Sequence, residues 1–362
     1  MKNPITAYLK KIFLSNKIIG EDTQLQGLVK ADVLLQRLIA EKQIPGVAIT
    51  VLEKGKTIFQ KSYGYADIEE KIIIDPKKTQ FRIASVSKPI AATALAYMVA
   101  DGIIDLDASF YDYVPYYPKK KWDFTMRQLA SHTAGIRSYK GIEYGLNKEY
   151  SIKDSISIFK EDPLLFKPGT DYLYTSFDWV LVSLAMQEAS GIPFENYVQE
   201  KVLQPLGMCN TEAEIPGNSY PNATSFYSKN RLGFRLSIPV NNYYKLAGGG
   251  FLSTAVDIAN FGQAFLAKQV LQKDMLTQFL TSESINGKPT YYGLGWQVSQ
   301  DKKGRKYFGH VGNGVGGYSN FYVYPKEQLV FSILTNCTNP NIQEELDEVI
   351  SLIIERLAIP LS

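Results

Sequence analysis

Strand patterns lie near both ends of this chain, and helical patterns fill the segment between them. Residues 47–66, VAITVLEKGKTIFQKSYGYA, carry β-branched runs on both sides of Lys54-Gly55, which predicts a hairpin. Near the other end, strand patterns begin at KYFGH (306), GYSNFYVY (317) and QLVFSILTN (328), with PKE turning between the last two. We therefore expect one sheet built from both ends of the chain, with a helical lobe inserted between them.

Two amphipathic helices are predicted to flank this sheet. Apolar residues recur at helical spacing from Leu25 to Ile39 before IPG at 44–46 ends the segment, and IQEELDEVISLIIERL at 342–357 has the same period. With 362 residues the chain is long enough for two lobes. The predicted class is α+β: an antiparallel sheet flanked by helices from 1–105 and 286–362, and a mostly helical lobe from 106–285. The site is expected in the cleft between the lobes.

The segment 81–102, FRIASVSKPIAATALAYMVADG, predicts a buried helix with polar residues at its mouth. Between Ile90 and Val99 only Thr93 and Tyr97 carry a polar group, and Gly102 supplies a C-terminal stop. In a purely structural interpretation, Ser85 is the N-cap, since serine oxygens accept the free N–H groups of a first helical turn.

Lys88 is not explained by that interpretation. A cation in the first turn meets the positive end of the helix dipole, at a cost of roughly 0.3–1 kcal/mol. Residues three apart share a helix face, so Lys88 lies beside Ser85 and not beside Ser87. A buried lysine at this position should have a lowered pKa and can accept the proton of a serine hydroxyl. Ser85 is therefore a candidate nucleophile whose own N–H can donate to an oxyanion.

An acyl-transfer site needs a further proton-transfer group and a second oxyanion donor. Tyr174, in KPGTDYLYTSFDW, is a candidate for the first role. GHVGNGVGG at 309–317 is a glycine-rich strand whose backbone can approach a substrate closely.

Eight segments, in order, carry a resemblance to a known family: FRIASVSKP, TMRQLASHTAGI, KPGTDYLYTS, ASGIPFENYV, PLGM, AGGGFLST, YGLGW and GHVGNGVGGYSNFYVYP. The chain resembles the serine β-lactamase-like hydrolases over roughly residues 45 to 335. This group holds class C β-lactamases, D-Ala-D-Ala carboxypeptidases, D-aminopeptidases and related esterases, and the chain is also similar to mitochondrial β-lactamase-like proteins. The resemblance implies a β-lactamase/transpeptidase-like fold and an acyl-enzyme route to hydrolysis or transfer of an amide or ester.

The resemblance also implies roles for single residues. Ser85 matches the acylated serine and Lys88 the lysine of the Ser-x-x-Lys motif. Tyr174 matches the tyrosine that relays protons to the leaving group and, in many members, activates the deacylating water. Lys88 and Tyr174 would thus share the base and acid roles.

The third motif of the family falls on His310, Val311 and Gly312 of the glycine-rich strand. By the same match, the N–H of Asn313 would be the second oxyanion donor beside that of Ser85. Such a donor is typically worth about 2.7–4 kcal/mol.

Two positions depart from the family pattern. Ser176 stands where Asn is usual, so a hydroxyl replaces the amide that would bind a substrate carbonyl. His310 replaces the β-lactamase lysine, and a largely neutral imidazole holds a carboxylate less strongly than an ammonium. Both changes point away from an efficient β-lactamase, and His310 favours a peptidase or esterase. The rival hypothesis is a non-catalytic ligand-binding or self-assembling scaffold, which Ser176 favours and the intact Ser85, Lys88 and Tyr174 disfavour.

Several other matches are interpreted as structural. Tyr318-Ser-Asn320 follows the glycine-rich strand directly, and strand alternation sends its Tyr and Asn to one face. His132 falls at the end of a short helix that begins with a capping box and stops at Gly135, which predicts a capping or packing role. Tyr220-Pro-Asn222 and Ser228-Lys-Asn230 also match motifs, but neither has the Pro-Gly-Thr context of Tyr174. Glu143 to Asn147 imitates a class A β-lactamase motif by chance, since the other class A motifs do not accompany it.

Composition limits partners and cofactors. A net charge of +3 without a basic stripe argues against nucleic-acid binding, and no window of 18 apolar residues predicts a membrane span. Neither His132 nor His310 has a Cys or an acidic residue nearby at the spacing of a metal site, so we expect no metal. We also expect no cofactor, and a small molecule or peptide as the substrate. The sequence alone does not decide whether Cys209 and Cys337 form a disulfide bond. Residues 1–24 lack a signal-peptide apolar run, so the cytoplasm is the default expectation, with export not excluded. The oligomeric state is left open.

Overall fold

The computed structural model describes residues 26–356. The predictions that fall on residues 1–25 and 357–362, including Leu25 of the first helical pattern and Leu357 of the last, lie outside the described residues. The α-helices are α1 Gly27–Ala40, α2 Ser87–Ala100, α3 Phe110–Tyr113, α4 Met126–Ala130, α5 Ile152–Ser155, α6 Ser176–Ser190, α7 Phe194–Val198, α8 Leu246–Gly249, α9 Ala255–Leu266, α10 Lys273–Phe279 and α11 Gln343–Glu355. Short 3₁₀ segments include Ala84–Val86, Gly141–Gly145 and Tyr243–Lys245.

The strands are β1 Gly46–Glu53, β2 Lys56–Asp67, β3 Ile72–Ile73, β4 Phe81–Arg82, β5 Glu212–Ala213, β6 Tyr227–Asn230, β7 Gly233–Leu236, β8 Phe251–Ser253, β9 Ser284–Ile285, β10 Lys288–Pro289, β11 Gln297–Gln300, β12 Lys306–Gly314, β13 Gly317–Tyr324, β14 Leu329–Thr335 and β15 Cys337–Thr338.

A seven-stranded sheet joins the two ends of the described chain. Its order is β11-β12-β13-β14-β1-β2-β3, and every pairing in it is antiparallel. The joint is the pairing of β1 with β14, in which Val47 lies opposite Thr335 and Glu53 opposite Leu329. This confirms the predicted α+β class and the sheet shared between distant segments.

The two faces of the sheet are covered by different helices. Along β1, Val47, Ile49 and Val51 pack into the cluster that contains α1 and α11, whereas Ala48 and Leu52 point to the opposite face. This alternation is the side-chain period of a strand with both faces buried. Each fully buried Val, Leu or Ile contributes about 1.5–3 kcal/mol, so the sheet is a rigid base for the residues on its strands.

Helix α2 lies in the interior, as its apolar sequence predicts. Eleven of its residues are buried, and Gly102 follows its end with φ of +68°. That left-handed conformation suits glycine and confirms the predicted stop. The helix therefore has a fixed position, and its N-terminus holds the side chains of its first turn in place.

The short helix α4 begins as predicted and ends earlier than predicted. Thr125 and Gln128 form the expected capping box. The prediction that Gly135 ends this helix is wrong, because α4 ends at Ala130 and His132 takes the left-handed turn with φ of +62°. Gly135 serves a close approach instead, since a Cβ there would lie 2.6 Å from the carbonyl oxygen of Phe166.

The middle segment holds most of the short helices and the short strands β5 to β9. These strands form small sheets with strands from outside the segment: β4 pairs with β8, β10 with β9 and β15 with β6. One of its helices, α9, packs on the central sheet: a Cβ on Gly262 would lie 2.6–3.0 Å from side-chain atoms of Val330, Phe321 and Val323. A division at residues 106 and 285 stays a prediction. Cys209 and Cys337 are free thiols. Within residues 26–356 no helix is both long and apolar enough to cross a membrane.

Candidate active site

Ser85 is presented by a strained turn between β4 and α2. The preceding residue, Ala84, has φ of +46°, a conformation that costs a non-glycine residue about 1 kcal/mol or more. Ser85 lies in the 3₁₀ segment Ala84–Val86 and stays partly exposed. The N-cap of α2 is Val86, and no side chain caps this helix. The capping interpretation of Ser85 therefore does not hold, and its hydroxyl is free to face the cleft.

Lys88 reaches Ser85 from the first turn of α2. Its Nζ donates to Ser85 Oγ at 3.1 Å and to the Gly248 carbonyl oxygen at 2.7 Å. The residue has no exposed surface, and this burial lowers the lysine pKa to about 7. At neutral pH a large share of Lys88 is therefore an uncharged amine. Ser87 takes no part, because its hydroxyl accepts the Phe251 N–H at 3.3 Å.

Tyr174 reaches the same oxygen from the loop before α6. Its hydroxyl donates to Ser85 Oγ at 2.8 Å, and the Lys88 ammonium lies 4.7 Å from its ring centroid. Burial raises the Tyr174 pKa well above the usual tyrosine value, so the phenol stays protonated at neutral pH. The structure thus brings three of the predicted catalytic residues into direct contact.

His310 lies beside this group without touching Ser85. Its Nδ1 lies 2.7 Å from the Val311 carbonyl oxygen, which can only accept, so Nδ1 carries the proton. Nε2 therefore accepts from the Tyr292 hydroxyl at 3.0 Å. Burial lowers the His310 pKa to about 3, so the ring is neutral. Both ring nitrogens are occupied, and the geometry gives His310 no path for proton transfer to Ser85.

The backbone of β12 runs directly against the nucleophile at Gly312. A Cβ on Gly312 would lie 2.3 Å from Ser319 Oγ and 3.0 Å from the Ser85 nitrogen. Only a glycine allows this approach. The next residue, Asn313, turns its side chain away to accept the Asn339 N–H at 3.2 Å, while the residue itself lines the cavity beside Ser85.

Gly312→Ala is expected to destabilise the protein by about 1–3 kcal/mol, because the added methyl group must push β12 away from the turn that carries Ser85. Thermal and denaturant unfolding measure the change. The matched control is Gly249→Ala, whose Cβ would make an ordinary 3.5 Å contact with the carbonyl carbon of Ala84. Equal midpoints for the two variants would contradict the close approach.

A narrow cleft of about 40 Å³ opens beside Ser85. Ser176, the first residue of α6, lines it together with Asn313 and Gly248. A larger cavity, about 930 Å³, lies between strands β11–β13 and α11 and does not include Ser85. On that face of the sheet Tyr318 donates to Gln343 Oε1 and Asn320 accepts from Gln343, so the Tyr and Asn of the Tyr-Ser-Asn match face away from the nucleophile.

A buried pair of side chains, His132 and Asp178, packs against Tyr174, and no sequence pattern indicated this pairing. His132 Nδ1 lies 2.7 Å from Asp178 Oδ2, and both side chains are almost fully buried. Burial lowers the His132 pKa and raises that of Asp178, which favours the uncharged forms. The His132 ring lies 4.5 Å from the Tyr174 ring and 4.8 Å from that of Tyr292. His132 thus packs against residues of the active site rather than against a distant part of the core.

No group of three or more His, Cys, Asp or Glu side chains suited to a metal ion occurs within residues 26–356. Glu143, from the class A-like match, forms an ion pair with Arg137 at 2.6 Å.

This antiparallel sheet flanked by helices, with the Ser85 turn packed against β12, has the β-lactamase/transpeptidase-like fold. The chain belongs to the Beta-lactamase family, whose profile matches residues 31–353.

Relatives and solved structures agree with this assignment. The chain is 29% identical to the mitochondrial serine beta-lactamase-like protein LACTB of Mus musculus, over 81% of this chain and 72% of the mouse protein. It is 24% identical to protein flp of Staphylococcus aureus, over 87% of this chain and 65% of that protein. The fold is similar to a D-amino acid amidase from Ochrobactrum anthropi, with a TM-score of 0.79 and 19% identity over 90% of this chain and 99% of the amidase. EstCE1, a hydrolase with promiscuous acyltransferase activity, gives a TM-score of 0.75 and 18% identity over 94% and 100% of the two chains.

Proposed function

We propose that this protein is a serine hydrolase that forms an acyl-enzyme on Ser85 from an amide or ester. The observation that carries the proposal is the pair of hydrogen bonds on one oxygen: Lys88 Nζ at 3.1 Å and the Tyr174 hydroxyl at 2.8 Å both reach Ser85 Oγ. A nucleophile in contact with a base and a second proton carrier is the signature of covalent catalysis.

Acylation begins at Lys88. The uncharged amine keeps its hydrogen bond to the Gly248 carbonyl and turns its lone pair to Ser85, whose O–H bond breaks as the proton moves to Nζ. The Ser85 oxygen forms a bond to the substrate carbonyl carbon, and the carbonyl oxygen becomes an oxyanion. The N–H groups of Ser85 and Asn313 stabilise this charge, each by about 2.7–4 kcal/mol.

The leaving group then needs a proton, which Tyr174 supplies. As the bond to the leaving nitrogen or oxygen breaks, that atom takes the phenolic proton, and the Lys88 ammonium returns a proton to Tyr174. Deacylation runs the same relay with water: its proton passes to Tyr174 and Lys88 while its oxygen attacks the ester, and Ser85 leaves with a proton. The two residues titrate as one coupled unit.

The environment of His310 favours a peptidase or esterase over a β-lactamase. A lysine at this position would offer a substrate carboxylate a charged donor, whereas the neutral ring of His310 has both nitrogens bound to Val311 and Tyr292. A carboxylate on the leaving-group side therefore finds no cation here. The fold likeness to an amidase and an acyl-transferring hydrolase supports the same choice.

Covalent labelling tests the proposal. The purified protein is treated with a fluorophosphonate and, separately, with a fluorescent penicillin, and adducts are mapped by mass spectrometry. The expected result is an adduct on Ser85 with the fluorophosphonate and little or none with the penicillin. A folded protein that gives no adduct with either reagent would favour the non-catalytic scaffold instead.

Tyr174→Phe is expected to slow turnover of amide and ester substrates about 100- to 1,000-fold, because the phenolic proton is lost while the ring keeps its contact with His132. Single-turnover kinetics with a fluorogenic ester measure the change. Substrates with better leaving groups should lose less, since they need the proton less. An equal loss across a leaving-group series would contradict the relay role.

A further inference from the structure

Lys245 is a cation at the wall of the cleft that holds Ser85. It lies at the end of the segment Tyr243–Lys245, and its side chain lines the cleft although the residue is only 8% exposed. An ammonium has three N–H donors. Within the described chain, Lys245 Nζ has one hydrogen-bond acceptor, the carbonyl oxygen of Tyr144 at 3.1 Å. Two donors are therefore left for a ligand.

Lys245 is surrounded by rings rather than by carboxylates. Its Nζ lies 5.5 Å from the ring centroids of Tyr139 and Tyr244 and 5.7 Å from that of Tyr144. Among residues 26–356, no carboxylate oxygen forms an ion pair with it. Ring faces attract an ammonium but do not neutralise it. Burial and the charge of Arg82 lower the Lys245 pKa to about 8, and the Glu214 carboxylate, which is bound to Arg82, opposes this only in part.

The other cation of the cleft, Arg82, is already neutralised. Its Nε and Nη2 donate to the carboxylate of Glu214, and its Nη1 donates to the Val315 carbonyl at 2.9 Å. Asn242 donates to the same carboxylate at 2.8 Å, which fixes Glu214 against the guanidinium. With this pair neutral and Lys88 only partly charged at neutral pH, Lys245 supplies most of the excess positive charge of the cleft.

We propose that Lys245 binds a carboxylate on the acyl portion of the substrate, so that the preferred substrates are amides or esters whose acyl group carries a nearby acidic group. The inference rests on the proposed function, since it assigns the substrate class of the same nucleophile. Its basis is the unpaired, nine-tenths buried ammonium that shares a cleft with Ser85.

The residues that line the cleft indicate that Lys245 faces the acyl portion of the substrate and not its leaving group. Ser85, Asn313 and Lys245 all line it, whereas Tyr174, the proposed donor to the leaving group, does not. The Tyr144 hydroxyl also donates to the Asn313 carbonyl at 3.4 Å, which places the acceptor of Lys245 against the strand of the oxyanion site. Ser176 leaves room on this side, because its side chain is shorter than the Asn usual in the family.

Matched boronic acids test this subsite, since boron bonds reversibly to an active serine. The pair is 4-boronobutanoic acid and 4-boronobutanamide, which differ in a carboxylate against a carboxamide. Their dissociation constants are measured by competition with the fluorophosphonate for wild-type protein, Lys245→Met and Lys245→Arg. Because the charge of Lys245 also lowers the pKa of Lys88, the quantity compared is the acid-to-amide ratio within each variant.

Wild-type protein is expected to bind the acid at least about tenfold more tightly than the amide. Lys245→Met should bring the ratio close to one, and Lys245→Arg should keep the preference. Equal affinities in wild-type protein, or a preference that survives Lys245→Met, would overturn the proposal. If neither boronate binds while the fluorophosphonate labels Ser85, the subsite is wrong and the hydrolase stands. If the fluorophosphonate also fails, the proposed function itself is wrong.

Discussion

Ser85→Ala should abolish covalent labelling by the fluorophosphonate completely, the largest effect expected of any single change. The variant lacks the oxygen that Lys88 and Tyr174 both contact, and no other hydroxyl of the turn replaces it. Gel fluorescence and intact-mass measurement follow the label. Because Ser85 is partly exposed and the change removes one oxygen atom, the melting temperature should stay close to that of the wild type.

The control for this variant is Ser87→Ala, two residues along the same turn. The Ser87 hydroxyl accepts a backbone N–H from Phe251 and does not face the cleft. Its loss should cost some stability and leave labelling intact. Labelling that persists in Ser85→Ala, or that disappears in Ser87→Ala with the fold preserved, would place the nucleophile elsewhere.

Lys88→Met is expected to lower the rate of Ser85 acylation by about 1,000-fold or more, because it removes the group that accepts the serine proton. Methionine keeps much of the length and apolar volume of the lysine chain. The rate constant for fluorophosphonate labelling, measured under excess reagent, gives the effect. Ser85 itself remains, so slow labelling should survive at long incubation times.

The stability of Lys88→Met separates a catalytic lysine from a structural one. The variant loses the hydrogen bond to the Gly248 carbonyl. It also removes an amine whose pKa is lower in the folded protein than its ordinary value of 10.5. Because the unfolded state binds the proton more tightly, protonation of Lys88 lowers the free energy of unfolding of the wild-type protein. This destabilisation is complete below pH 7 and is relieved in Lys88→Met. The two effects oppose each other, so only a small change in melting temperature is expected. Wild-type acylation rates in Lys88→Met would refute the role of the lysine.

Much of this fold is visible in the sequence because its signals are local. The alternation in 47–66 and 306–336 predicts the strands, and the apolar run after Lys88 predicts a buried helix. The Ser-x-x-Lys spacing places Ser85 and Lys88 together because one helical turn fixes both. Tyr174 lies far from Ser85 in the sequence, and only the resemblance of the segment KPGTDYLYTS to a family motif predicted its place at Ser85 Oγ.

Other parts of the site depend on contacts that no local pattern encodes. Lys245 follows a run of tyrosines in NNYYKLAGGG, and only the fold shows that it reaches the Ser85 cleft without a carboxylate partner. Asp178 is in the sequence one turn beyond Tyr174, but its partner His132 lies 46 positions away. The hydrogen bond between the Tyr292 hydroxyl and His310 Nε2 likewise forms only when β12 has packed beside the segment that carries Tyr292. The stop predicted at Gly135 is wrong because His132 adopts a left-handed conformation that glycine usually takes, so the helix ends before the glycine is reached.

The pH dependence of acylation tests the central claim most directly, that burial makes Lys88 the base of Ser85. An uncharged fluorophosphonate is used, and the labelling rate of wild-type protein is measured from about pH 5 to about pH 10. His310, with a pKa of about 3, and Tyr174, with a raised pKa, do not titrate in this range. Lys245, with a pKa of about 8, does, so the same profile is measured for Lys245→Met, in which the rise with pH should remain. The rate should rise with pH as Lys88 loses its proton and reach a plateau, with a midpoint near 7. A rate that keeps rising toward the ordinary lysine value of 10.5, or that does not change with pH, would contradict the account.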